Sequence, residues 1–462
     1  MPHAKLDRSE IFAKMPVRSA VLRQILPAIA SQMTALIYNL ADTYFVGRLD
    51  DPNQTAAVTV ATAAFLMLTA ISNLFGVGGA SVISRLLGKE RAQEAKKASA
   101  FSFWYALISA AAFSVIVTVL RDPILRLCGA KDEYIEFARG YAFYTLIIGA
   151  IPTVLTNVLA NLVRSEGSAA AASIGVTIGC IINIVLDPIF ILPWGFNMGA
   201  AGAGAATAIS NFCGLAYFIV YMVKNRRTSV INLSIKGLAA TEHAKEVLGI
   251  GFPSAIQYAL TVVAVSAQMN FVSQYGGEAV AAVGITKKLD QLPLFFSIGI
   301  ANGLLPLIGY NYAAGNLERT ERAFRFGSMI SLGFAVLCVM VYEIFAPDLA
   351  RLFIENAKTV DYAASFLRRM VLAMPCMSVC YPLIVKFQAM GKAKASLIVS
   401  VLRKGVIDIP LYFLMDSLVP LYGCMWVQPI VDTVSLIAAV SINHAIIREL
   451  KKTESISLHS AE

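Results

Sequence analysis

The chain has 462 residues, of which 57% are hydrophobic and 15% charged, and its formal net charge is +9 at pH 7. A soluble protein of this length carries about 25% charged residues, so a water-solvated globular surface is excluded. The basic excess sits at the ends of long apolar runs rather than on one face, which sets aside a nucleic-acid partner.

In chain order the apolar runs predict twelve helices, over 17–46, 56–84, 98–120, 134–160, 169–192, 199–223, 245–275, 278–309, 325–346, 360–387, 395–416 and 420–447. Each is about long enough to cross a hydrocarbon core of roughly 30 Å. Lipid leaves the backbone only helices or closed barrels, and these runs are too long and too uniformly apolar for barrel strands. The first run is too long for a signal-peptide core and has no cleavage site, so it is expected to be retained. Lys and Arg crowd into alternate connections. They include Lys5 and Arg8 before the first helix, Arg85 to Lys97, Lys224 to Lys245 with Lys236 between, Arg319 to Arg325, Lys386 to Lys394, and Arg448 to Lys452. The bias puts those segments and both termini in the cytoplasm, which requires an even number of spans.

The first helix carries Gln32, Asn39 and Asp42 on one face. The fourth carries Thr153, Asn157 and Asn161, the fifth Asn183 and Asp187, and the sixth Thr207 and Asn211. An Asp at mid-bilayer costs about 2.5–3.5 kcal/mol, so it is expected to face a cavity and to act there. Two carboxylates among amide and hydroxyl oxygens suit a small hard cation such as Na⁺, and they suit a proton equally, since crowded, desolvated carboxylates share one. Both ions stay open on the residues alone, and the amides can also serve as glue between helices.

The second half differs. Its seventh helix has Gln257, Thr261 and Gln268, polar but uncharged, with Gln268 opposite Asp42. The eighth has Lys287, Lys288 and Asp290, where either lysine can pair with the acid or face a cavity. The eleventh has Arg403, Lys404 and Asp408; Arg403 and Lys404 are expected to snorkel to the inner surface. Asp432 in the last helix has no evident role. Gln32, Tyr38, Asn39, Gln257, Gln268, Lys288 and Asp290 are the candidate cavity residues. Phe65, Met67, Met269 and Phe296 would add soft apolar surface to such a cavity, or simply pack.

A repeat runs through the chain with a period near 225 residues. It aligns Pro27 with Pro253, Gly88 with Gly315, "RDPILRL" at 121–127 with "APDLARL" at 346–352, Gly167 with Gly391, and Pro188 with Pro410. The expected organisation is a first lobe over 1–223, a cytoplasmic linker over 224–245, a second lobe over 246–447 and a tail over 448–462. An even number of spans per half inserts both halves the same way up, related by an axis along the membrane normal. Duplicated halves with a cleft between them are the architecture of alternating-access carriers more than of channels. Prolines inside the spans, Pro27 above all, permit kinks that could reshape a cavity. The seven cysteines form no CxxC, and Cys376 and Cys380 share a helix face without an acid or His nearby, so packing is expected of them. His3, His243, His444 and His459 lie near loops or ends, and HExxH, GxSxG and GxxxxGK[ST] are absent. Neither a membrane enzyme nor an ATP-driven pump is expected, and no cofactor beyond a coupling ion.

These stretches resemble the multidrug and toxic compound extrusion (MATE) family. The resemblance rests on Pro27, "NLADTYFVG" at 39–47, "NLFGVGGASVISRLLGKER" at 73–91, "VRSEGSAAAAS" at 163–173, "IINIVLDPIFI" at 181–191, "GAAGAGAATAIS" at 199–210 and "GIGFP" at 249–253. It covers nearly the whole chain and is similar to bacterial multidrug-efflux members. The family implies an all-α polytopic membrane protein with two pseudo-symmetric six-helix lobes and export of amphipathic, often cationic, drugs coupled to H⁺ or Na⁺. In DinF-like members a first-lobe cluster handles the ion; carried over, it falls on Asp42, Asn157, Asn183, Asp187 and Thr207, with Na⁺ at Asp42, Asn183, Asp187 and Thr207 as one form. The acids that NorM-like members use in the seventh and tenth helices have no counterpart here, which favours the first lobe. The short basic tails predict a prokaryotic cytoplasmic (inner) membrane, and a monomer is expected. A flippase for a lipid-linked sugar shares this fold and is the rival reading; Lys287, Lys288 and Arg403 would suit its pyrophosphate.

Overall fold

The computed structural model describes residues 10–49, 51–239 and 241–459, without the side chains of 236, 237 and 453–459. His3, Lys5, Arg8, the side chains of Lys236 and His459 and the last residues of the tail lie outside the described residues. No strand occurs among the described residues.

The helices are α1 (Val17–Gly47), α2 (Pro52–Gly88), α3 (Ala92–Leu127), α4 (Ile135–Ala142), α5 (Ala150–Ser165), α6 (Ala169–Ile191), α7 (Gly199–Asn225), α8 (Ala244–Ser273), α9 (Gly277–Ala313), α10 (Leu317–Arg351), α11 (Ala357–Met370), α12 (Met374–Ala389), α13 (Ala393–Val401), α14 (Asp408–Leu418) and α15 (Gly423–His459). Among the described residues, ten stretches are long and apolar enough to cross a membrane as they stand, α11 and α12 counting as one. An eleventh is α4 with α5, bent by 51°. The twelfth is α13 with α14, two pieces too short to span alone, on either side of Lys404 and Gly405. Twelve crossings result, as expected from the apolar runs.

Local chemistry sets the ends. Asp51 caps α2 by accepting from the Asn53 backbone N–H, with Pro52 at the first helical position; Asn316 and Asn356 cap α10 and α11 in the same way. Gly167 and Gly391, aligned by the repeat, both turn the chain at left-handed φ, +89° and +75°. Two kinks also match across the repeat: Leu120 leaves helical geometry just before Pro123, and Phe345 just before Pro347, where the proline ring displaces a helical hydrogen bond. Pro27 behaves otherwise. α1 runs through it with no residue leaving helical geometry.

α1 packs along α6 in its own half and along α9 of the other, while α2 packs along α8. These last two seams are equivalents under the repeat. Both need small residues so that backbones can approach. A Cβ on Gly251 would collide with the Leu74 carbonyl, one on Gly78 with the Val247 carbonyl, and one on Gly303 would stand 2.7 Å from the Ile25 Cα. Polar contacts between the halves gather at the same end: Ser81 Oγ donates to Gln388 O at 2.5 Å, Arg85 pairs with Glu246 at 3.2 Å, and Arg319 Nε and Asn311 Nδ2 donate to the carbonyl of buried Phe12. Outward-facing side chains such as Val119 (75% exposed) and Ile344 (68%) are apolar, as lipid contact requires.

Candidate functional site

In the first half, α1 and α6 lie side by side, which brings the Asp42 and Asp187 faces together. Asp187 is fully buried and Asn183 and Thr207 nearly so. The Asn183 amide fits with its nitrogen donating to Asp187 Oδ2 at 3.1 Å and its oxygen accepting from the Thr207 backbone N–H at 3.2 Å. Asp42 Oδ1 is enclosed and has no hydrogen-bond partner. Asp42 and Asp187 are electrostatic neighbours of each other and of Tyr38 and Tyr141. Among the described residues neither carboxylate has a lysine or arginine against it. The arrangement can therefore accept a positive charge: acidic oxygens, an amide and a hydroxyl, with no internal cation.

Two other first-half candidates bond within their own helices. Asn157 is exposed on α5 and donates to Thr153 O of its own helix at 2.9 Å. Asn39 donates to Ala35 O at 2.7 Å, also within its helix, and Gln32 is half-buried. Tyr141, which hydrogen-bonds Thr62 of α2, joins the cluster without having been singled out in the sequence. It sits on short α4, ahead of the bend, where no run of polar residues at helical spacing marks a face.

In the second half Gln257 and Gln268 are both buried, and Gln268 Nε2 has no partner. The expectation that Arg403 and Lys404 snorkel is overturned. Arg403 is 2% exposed and its Nε donates to Asp432 Oδ1 at 2.9 Å; its guanidinium stands 4.2 Å above the Tyr381 ring. Lys404 Nζ donates to Gln428 Oε1 at 2.6 Å, and Gln428 Nε2 to Asp432 Oδ2 at 2.8 Å. The reason is positional: the span breaks at these residues, so they lie inside the bundle and not at its rim. The same contacts give Asp432 its partner. Of the two eighth-span lysines, Lys287 and not Lys288 is within reach of the Asp290 charge, which Lys404 and Arg403 also face.

A family model described as MatE matches residues 27–189 and 253–414, one stretch in each half. The multidrug export protein MepA of Staphylococcus aureus (strain MSSA476) is 30% identical over 436 residues, which is 93% of this chain and 94% of that protein. MepA of Staphylococcus saprophyticus is 28% identical over 432 residues, again 93% and 94%. A solved structure described as the outward-facing conformation of a multidrug resistance MATE family transporter superposes with a TM-score of 0.90 at 25% identity, over 97% of this chain and 100% of that one.

Proposed function

The chain belongs to the MatE family and is a multi-pass multidrug efflux transporter, and from its buried acids we propose that it is an antiporter driven by H⁺ or Na⁺. The observation that carries this reading is the pair of buried Asp187 and half-buried Asp42, neither with a basic partner among the described residues. A buried charge without a counter-charge is strongly disfavoured. Something positive must therefore occupy the pair whenever the site is closed to water. A proton or Na⁺ does so on one stroke and a cationic drug on the other, and that exclusion makes the exchange obligatory. Asn183 and Thr207 supply further oxygens for Na⁺. The cycle is alternating access, with the two halves opening in turn to the cytoplasm and to the outside of the inner membrane, and the working unit is the monomer. A tenfold ion gradient supplies about 1.4 kcal/mol, and 100 mV adds about 2.3 kcal/mol per charge, enough to concentrate a cationic drug outside. The flippase reading loses ground, since Arg403 is already neutralised by Asp432.

The test is ethidium efflux from energised cells expressing the wild type, Asp42→Asn or Asp187→Asn, with the pH and Na⁺ gradients collapsed separately. Either variant should lower efflux about tenfold or more, the effect of losing about 1.4 kcal/mol, and the gradient whose collapse stops the wild type names the ion. Normal efflux by both variants would sink the ion site.

A further inference from the structure

α10 and α15 both pack against α12. At the end of these helices that the Lys and Arg bias predicts to be cytoplasmic, a cleft of about 650 Å³ opens between α10 and α15. Leu317, Arg322 and Arg325 line it from α10, and Ile447, Leu450 and Lys451 from α15. Lys386 of α12, fully buried, ties the two helices together: it pairs with Glu321 of α10 and donates to Asn443 Oδ1 of α15 at 2.7 Å. Both acids of the cleft are consumed, Glu318 by Arg322 and Glu321 by Lys386. Arg325 and Lys451 are exposed and form no ion pair or hydrogen bond among the described residues.

Helical spacing continues the cleft along both helices. From Arg325, steps of four, three and four residues lead to Met329, Leu332 and Val336. From Lys451, steps of four, three, four and three lead back through Ile447 and His444 to Val440 and Ile437. Met329 is 63% exposed and Ile437 62%, and Leu332, Val336 and Val440 are exposed as well. Each free cation therefore heads an outward-facing, largely apolar stripe. The inward bias of basic residues puts cations at this end of the spans, but it does not require two from different helices to face one cleft. We propose that the cleft binds an anionic phospholipid of the inner leaflet, with Arg325 and Lys451 holding the phosphodiester and the acyl chains lying along the two stripes. Basic pockets between spans on the cytoplasmic side recognise such headgroups, and the leaflet there is the anionic one. A water-soluble phosphate would meet the two cations but leave the apolar stripes uncovered. This site does not depend on the export reading.

The experiment measures, by native mass spectrometry of the full chain in detergent, the affinity of the first bound molecule of each of three probes. These are dioleoyl phosphatidylglycerol, dioleoyl phosphatidylcholine with the same chains and no net charge, and glycerol phosphate, which has the phosphate without the chains. Phosphatidylglycerol should bind about tenfold more tightly than phosphatidylcholine. The double variant Arg325→Gln with Lys451→Gln should bring the two lipids to within about twofold of each other. Arg325→Lys with Lys451→Arg, which keeps both charges, should retain the preference. Arg226→Gln with Arg227→Gln removes the same charge from exposed positions outside the cleft and should leave the preference unchanged. An equal loss in that control would reveal a general attraction of this face for anions and overturn the site. A wild type without the preference, or a preference that survives the Arg325 and Lys451 neutralisation, would overturn it too. Glycerol phosphate binding as tightly as phosphatidylglycerol would overturn the assignment to a lipid.

Discussion

Asp42 and Asp432 are the same residue type in the same medium, yet they end in opposite states. Asp432 accepts from Arg403 and from Gln428, whereas Asp42 keeps an oxygen without a partner. One carboxylate is consumed by structure and the other is not, as the proposed ion site requires. Replacing Asp432 by Ala would strand the Arg403 guanidinium, and breaking a buried pair in this way costs about 3–5 kcal/mol. The melting temperature of the detergent-solubilised protein should fall clearly for Asp432→Ala and much less for the double variant Arg403→Leu with Asp432→Leu, which removes both charges. Equal falls would show that the pair itself adds nothing. The helical spacing of Gln32, Asn39 and Asp42 was enough to mark one polar face in the sequence. Nothing in the spacing of Arg403, Lys404 and Asp432 shows that they meet, because the partners belong to different helices.

Helix continuity depends on more than proline. α6 runs straight through Pro188 to Ile191, but its repeat partner breaks ahead of Pro410. The difference is Gly405, whose left-handed φ an L-residue adopts only under strain, and whose added Cβ would lie 2.7 Å from the Leu260 side chain. Gly405→Ala should therefore destabilise by about 1–3 kcal/mol. Gly284→Ala is the control: nothing lies within 4 Å of its added Cβ and it sits in an ordinary stretch of α9, so it should be neutral or gain up to about 1 kcal/mol. Both are read as thermal stability of the purified protein. If Gly405→Ala were as stable as wild type, the break would not depend on that backbone conformation. Pro27 makes the same point, since α1 stays continuous through it.

Across the whole molecule, most of the described hydrogen bonds and ion pairs between the halves gather where α1 and α8 begin and α2 and α9 end, with Asn73 to Tyr258 farther along the α2–α8 seam. The Lys and Arg bias predicts that this end faces the cytoplasm. The seam holds by close backbone packing at Gly78, Gly251 and Gly303, reinforced by pairs such as Arg85 with Glu246. A pair as open as that one, with 18% and 55% of its side chains exposed, is worth at most about 1 kcal/mol, and would not hold the seam shut against the alternating-access cycle proposed above. A short bis-thiol cross-link between Arg85→Cys and Glu246→Cys, in a variant lacking the native cysteines, should stop ethidium efflux until a reductant is added. Undiminished efflux after verified cross-linking would show that this seam does not open during transport.

By itself the sequence determined the twelve crossings, the duplicated order and the acidic face of the first half, because hydrocarbon acts on each span separately and leaves its mark at short range. Apolar length, helical spacing and turn residues such as Gly167 and Gly391 are all local quantities. Only the tertiary structure decided that Arg403 is buried and paired, that Tyr141 joins Asp42 and Asp187, and where the helices leave helical geometry. Those outcomes depend on what stands across a helix interface, and no period within one helix records the identity of a neighbour hundreds of residues away.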